Sequence, residues 1–242
     1  MIRENVPQQV AELVDVTKEF GFDGQRTLAV RDCSLQVMRG ELVLLLGPSG
    51  SGKTTLLTLI AGLTSASSGN AVLFGRSVEE YSGEQLQSVR GKRLGFIFQN
   101  FLLLDFLTVV ENIALVLQFA GSARTESRQK AAQLLKKLEI EHLSERFPAS
   151  LSQGEKQRVA IARAIANDAE LILADEPTAS LESAQGFAVI RLLHRLAKEW
   201  GKCVVVASHD LRLKEFADRV LYMQDGRIGT GIAKGSSLNG TL

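Results

Sequence analysis

The chain has 242 residues, enough for one large domain with a sizeable core and too few for two such domains. Its 28 Lys and Arg nearly balance its 27 Asp and Glu, which excludes the basic excess of a protein built to grip a nucleic-acid backbone. Cys33 and Cys203 stand far apart without metal-ligand spacing and read as reduced, buried thiols.

In chain order, the first ten residues are polar and hold no apolar signal core. Strand-like runs follow at 12–16, 28–37, 41–46, 71–74 and 94–98, each bounded by Gly or polar turn residues. The most apolar window, 101–120, contains Asp105, Glu111, Asn112 and Gln118 and does not read as a membrane span. Inside it Thr108 and Glu111 have capping-box spacing, and Val109, Ile113, Val116, Leu117 and Ala120 recur at helical spacing. Ala131, Leu134, Leu135 and Leu138 mark another amphipathic helix. Ser152 and Glu155 form a second capping box, opening a helix that runs to about Ala166. Residues 170–175 and 203–207 are short apolar runs of the kind buried on both faces in a parallel sheet. Between them lies a helix with Phe187, Ile190, Leu193 and Leu196 on one side, stopped by Gly201. Gln224-Asp225-Gly226-Arg227 reads as a hairpin turn, and the Gly/Ser/Asn-rich tail from Lys234 as loose. The pattern predicts one α/β domain over the whole chain, with an inserted helical subdomain at about 84–168.

One segment carries phosphate chemistry. Gly47, Pro48, Ser49, Gly50, Ser51, Gly52, Lys53 and Thr54 fit the eight-residue phosphate-loop pattern, with an apolar strand before it and a helix after it. Glycines let backbone N–H groups turn inward around phosphate oxygens, and the helix N-terminus adds a favourable dipole. Thr55 follows in the first helical turn. Lys53 is placed to reach the β- and γ-phosphates of ATP, and Thr54 to coordinate Mg²⁺. A second element is needed to hold the metal and activate water. The apolar run 171–174 ends in Asp175 and Glu176, at the carboxyl edge of a parallel sheet where ligands bind. Asp175 suits Mg²⁺ and Glu176 suits the attacking water.

The run Leu151-Ser152-Gln153-Gly154-Glu155, followed by Lys-Gln-Arg-Val-Ala-Ile-Ala-Arg-Ala164, resembles the signature motif of the ABC ATPase family, usually Leu-Ser-Gly-Gly-Gln. The resemblance covers nearly the whole chain. It implies a P-loop NTPase core, a parallel sheet with flanking helices, joined to an N-terminal antiparallel β-subdomain and the inserted helices. It also implies that Ser152, Gln153, Gly154 and Glu155 meet ATP held by another copy, with Ser152 and the Gly154 N–H on its γ-phosphate. Gln99 resembles the family's Mg²⁺-sensing glutamine and His209 its γ-phosphate switch histidine, while Phe20 matches the aromatic that stacks on adenine. Ala179-Ser-Leu-Glu182 matches a loop that contacts the partner copy. The chain departs from the family pattern at Gln153, which replaces a glycine, at Glu155, which replaces a glutamine, and at Glu182, where Asp is usual.

Residues 50–63, 93–100 and 173–179 look like the branch of that family containing the LolD, MacB, FtsE and DevA ATPases. That likeness implies an ATP-dependent homodimer on the cytoplasmic face of the inner membrane, held there by a separate membrane-spanning permease and served in some systems by a periplasmic adaptor. Lipid, lipoprotein, peptide or drug is the implied cargo. An FtsE-like mechanical regulator of cell-wall enzymes and a soluble ATPase of SufC type are the competing readings. No nucleic-acid partner is implied.

Overall fold

The computed structural model describes residues 9–21 and 26–229; the tail expected to be loose, 234–242, lies outside the described residues. Among the described residues ten strands form two sheets. β1 (Gln9–Phe20), β2 (Thr27–Met38), β4 (Ser68–Leu73) and β5 (Arg76–Ser77) make an antiparallel sheet in the order β2-β1-β4-β5. The second sheet has the order β10-β9-β3-β8-β7-β6. Its members are β3 (Leu42–Leu46), β6 (Leu94–Ile97), β7 (Leu171–Asp175), β8 (Cys203–Ser208), β9 (Arg219–Gln224) and β10 (Arg227–Gly229). All pair in parallel except β10, which returns antiparallel to β9. Asp225 (φ 49°) and Gly226 (φ 79°) turn that hairpin, both in the left-handed conformation a two-residue turn of this hand requires.

β3, β7 and β8 are buried at every position, which explains their unbroken apolar runs. Their alternation is nonetheless real. Leu42, Leu44 and Leu46 face a core shared with the helical part, whereas Val43 and Leu45 face α1 (Lys53–Ile60) and the antiparallel sheet. Ile172 and Ala174 divide from Leu171 and Leu173 in the same way. The parallel sheet is therefore covered on both sides.

The remaining helices are α2 (Gly83–Arg93), α3 (Val109–Phe119), α4 (Arg124–Lys137), α5 (Gln153–Ile165) and α6 (Ser183–Lys198). Ser82–Gln85, Thr108–Glu111 and Ser152–Glu155 are complete capping boxes, each satisfying orphan N–H groups at a helix start. The range 84–168 also contains β6, the edge strand of the parallel sheet, so α3 and α4 follow a strand of the core. Cys33 and Cys203 are free and buried, and burial pushes the Cys203 thiol up to about 12, leaving it unreactive. Among the described residues no helix is long and apolar enough to cross a membrane.

Candidate functional site

The register aligns the carboxyl ends of the central strands: Leu46 lies opposite Ser208, and Asp175 opposite Ala207. Each chain segment leaving this edge carries a polar group into one small volume. The loop after β3 crosses β8 and β9 closely, with the Gly47 N–H donating to the Ser208 carbonyl at 3.2 Å. A Cβ on Gly47 would stand 2.1 Å from the Met223 carbonyl oxygen, and one on Gly52 (φ +104°) 2.2 Å from that of Ala29. These glycines are required by close backbone approach, not by flexibility alone. Pro48, Ser49 and Gly50 form the exposed tip, and Ser51 is buried with its hydroxyl unpaired among the described residues. Gly52 provides no side-chain cap for the first N–H groups of α1, an arrangement that suits an anion at this helix start.

Lys53 opens α1 with its side chain buried. Its Nζ donates to the carbonyls of Gly47 (2.8 Å) and Pro48 (2.9 Å) and lies 3.5 Å from Glu176 Oε1. Thr54 Oγ1 donates to Asp175 Oδ2 at 2.7 Å, while Thr55 continues the same turn half-buried. Among the described residues Asp175 Oδ1 is buried without a hydrogen-bond partner, and burial raises the Asp175 pKa, opposed by the Thr54 hydroxyl. Glu176 sits at φ 47°, its N–H donating to the Ala207 carbonyl at 2.9 Å. That strained turn aims its carboxylate at the next loop. Its Oε2 accepts from Ser208 Oγ at 3.4 Å and lies 3.0 Å from His209 Nδ1. A hydroxyl and a carboxylate with an unpaired oxygen are hard donors that fit Mg²⁺. Among the described residues no three His, Cys, Asp or Glu groups could hold a metal by themselves.

Lys53, Thr54, Asp175, Glu176 and His209 are thus brought together. Gln99 stands exposed in the turn after β6, at the same edge, outside this hydrogen-bonded group. Phe20 is exposed, with Lys18 Nζ 5.0 Å from its ring centroid, so it is free of the core. Ser152, Gln153, Gly154 and Glu155 open α5 as a separate group. Glu155 Oε2 accepts from the Ser152 N–H and hydroxyl, both at 2.8 Å, and these bonds, the N–H first, hold its carboxyl below the usual range. Gly154 packs on α6, where a Cβ would come within 2.9 Å of Gln185 Oε1, while Gln153 is exposed. Sequence reading missed Ser208. Its signal is a polar residue closing an otherwise apolar strand, the position Asp175 occupies on β7.

A profile of the ABC transporter family matches residues 30–179. The putative hemin import ATP-binding protein HrtA of Staphylococcus aureus is 42% identical over 88% of this chain and 96% of its own length. The macrolide export ATP-binding/permease protein MacB of Mannheimia succiniciproducens is 38% identical over 90% of this chain, which spans only 34% of that longer protein. The fold resembles the dimeric, ADP- and Pi-bound post-hydrolysis state of the ATP-binding cassette MJ0796, with TM-score 0.83, 36% identity, and coverage of 96% of this chain and 100% of that one. With the family profile covering more than half of the sequence and these relatives aligning over most of it, the chain belongs to the ABC transporter family, as one of its ATP-binding and ATP-hydrolysing subunits.

Proposed function

We propose that this subunit drives a separate membrane-spanning permease, by hydrolysing ATP held between two copies of itself. The observation that carries the proposal is the convergence of Lys53, Thr54, Asp175, Glu176 and His209 at one sheet edge, while Ser152–Glu155 opens a second helix that stays outside that group. One chain therefore holds half of each of two sites, and a two-fold pairing completes both.

In this reading the N–H groups of 47–52 and the first turn of α1, with Thr55, bind the phosphates, and Phe20 stacks on adenine. Lys53 leaves its loop carbonyls to bind β- and γ-oxygens. Thr54, Asp175 and Gln99 would hold Mg²⁺, which when bound offsets the phosphate charge. Glu176 accepts the proton of the attacking water as its oxygen bonds to the γ-phosphorus and the bond to the ADP oxygen breaks. His209, anchored on Glu176, faces the γ-phosphate. Ser152, Gln153, Gly154 and Glu155 of the second copy close the site, with Ser152 and the Gly154 N–H as donors.

The names of HrtA and MacB, hemin import and macrolide export, support an apolar or amphiphilic cargo moved by the permease. That permease would hold the subunit at the cytoplasmic face of the membrane, with a periplasmic adaptor as a further partner. Glu176→Gln keeps the size and hydrogen bonding of the side chain and removes its basicity. The variant should bind Mg·ATP, lose nearly all phosphate release, and elute as an ATP-dependent dimer, alone or with the permease. Full activity would remove Glu176 from catalysis, and inactivity without any ATP-dependent pairing would sink the two-copy site.

A further inference from the structure

His209 is mostly exposed, and its ring is held at one point, by Nδ1 on Glu176. A side chain so placed depends on its backbone for aim. On one flank Ser208 is fully buried and its hydroxyl reaches Glu176. On the other flank Asp210 is fastened by Arg212. Arg212 Nε donates to Asp210 Oδ1 at 2.9 Å, Nη2 donates to Oδ2 at 2.7 Å, and the Arg212 N–H donates to Oδ1 at 3.0 Å. The same guanidinium sends Nη1 to Ser183 Oγ at 2.9 Å and lies 5.5 Å from the Phe187 ring centroid. Ser183 is the first residue of α6, whose Gly186, Val189, Ile190 and Leu193 are buried in the core.

We propose that Arg212 is a positioning residue for hydrolysis: its planar fork locks Asp210 to α6 and so fixes the His209 loop against Glu176. The inference rests on the reading of Glu176 and His209 given above. A bidentate guanidinium fits this task because it constrains direction as well as distance, which a lysine ammonium cannot do. The brace is independent of the phosphate loop, because none of its partners lies between residues 47 and 55. Removing it should change the rate of the chemical step and leave nucleotide binding alone. A small displacement of a reacting group by a distant mutation costs on the order of tenfold to a hundredfold in rate.

The test compares Arg212→Ala, Arg212→Lys, Ser183→Ala and the Arg212→Ala/Ser183→Ala double variant with the unmodified protein and with Glu176→Gln. The readouts are kcat and KM for ATP, ATP affinity, and melting temperature. Arg212→Ala should lower kcat by roughly tenfold or more with KM and ATP affinity unchanged. Arg212→Lys should recover only part of that loss. Ser183→Ala should show a smaller loss in kcat that disappears in the Arg212→Ala background, because both changes break one brace. If Arg212→Ala melts early, Ser183→Ala alone decides, since it removes one exposed hydroxyl from a helix end. Unchanged kcat in Ser183→Ala and in a folded Arg212→Ala overturns the inference, as does full rescue by lysine or a loss that appears wholly in KM. Glu176→Gln separates the failures: if it is inactive while the Arg212 variants are normal, the brace alone is wrong; if it is active, the catalytic reading itself fails.

Discussion

Lys53 Nζ lies 3.5 Å from Glu176 Oε1, and the two side chains are only 6% and 13% exposed. The cation proposed to bind phosphate and the carboxylate proposed to accept the proton of water are each other's neighbours across the sheet edge. Lys53 also donates to the carbonyls of Gly47 and Pro48, so three acceptors hold it over its own loop. ATP phosphates would take over these contacts with stronger, charge-assisted ones, releasing Glu176 from its counter-ion as the substrate arrives.

Lys53→Ala should therefore weaken ATP binding by roughly tenfold to a hundredfold, the range for a lost hydrogen bond to a charged group. It also leaves Glu176 without its nearby cation. Calorimetric titration of the variant with Mg·ATP measures the effect, and an unchanged affinity would count against the phosphate-loop assignment.

The loop's glycines separate by cause. A Cβ at Gly47 or Gly52 meets a backbone carbonyl oxygen at 2.1 or 2.2 Å, and backbone cannot swing aside. At Gly50 (φ +78°) a Cβ meets nothing within 4 Å among the described residues. Gly50→Ala should cost only the left-handed backbone penalty, about 1 kcal/mol. Gly47→Ala and Gly52→Ala should each cost at least about 2 kcal/mol, because strands or loops must move apart. Thermal unfolding without nucleotide ranks the three, and equal losses would contradict the close approach to Met223 and Ala29.

The elements that frame the candidate site are legible in the sequence because they are local. The helix opening at Lys53, the strand ending on Asp175, and the Ser152–Glu155 and Thr108–Glu111 caps are each set within a few residues, and these local elements form as the sequence predicts. What escaped is set by partners distant in sequence. β5 is two residues long and exists only through pairing with β4. Ser183 and Arg212 meet across 29 positions, and neither has a periodicity that announces the other. Asn112 served in the sequence only to argue against a membrane span. In the fold it is buried, accepts from the Leu104 N–H at 2.8 Å and donates to the carbonyls of Leu104, Leu107 and Thr108.

The two caps of the helical region also predict acid sensitivity. Glu111 accepts from the Thr108 N–H and hydroxyl, both at 2.9 Å, as Glu155 does from Ser152. In both carboxylates the N–H is the largest cause holding the pKa below 4.5. A group with a lower pKa folded than unfolded stabilises the fold above its unfolded pKa and loses that stabilisation as pH falls through the folded value. Melting temperature should accordingly drop as pH is lowered below about 4.5. Both carboxylates face solvent, so each contribution is below about 1 kcal/mol. Glu111→Gln and Glu155→Gln can still accept these bonds but do not ionise over this range. Their combined variant should show a shallower acid-side loss, and an identical pH profile would show that other groups govern it.

The apolar strip after Gln99 predicts where the permease docks, and the structure divides that strip. Leu103 packs against the core. Leu104 is half-buried, its backbone pinned from both sides by Asn112. Phe101 (φ 57°) and Leu102 (φ 50°) lie in the left-handed region, and Arg163 on α5 donates to both of their carbonyls. This segment is a strap tied to α3 and α5, and Phe106, 75% exposed, stands out from it. A large apolar side chain so exposed on a firmly held loop suits a partner surface. Leu104→Asp would place a charge in a half-buried site and disturb the strap, so its loss of function would not identify a docking residue. Phe106→Asp is the cleaner change. It should leave melting temperature and basal hydrolysis unchanged while abolishing the stimulation given by the co-purifying membrane protein in lipid. Leu63→Asp, at another exposed leucine, serves as the control and should keep full stimulation. Stimulation that survives Phe106→Asp, with binding of the membrane protein intact, would place the coupling surface elsewhere.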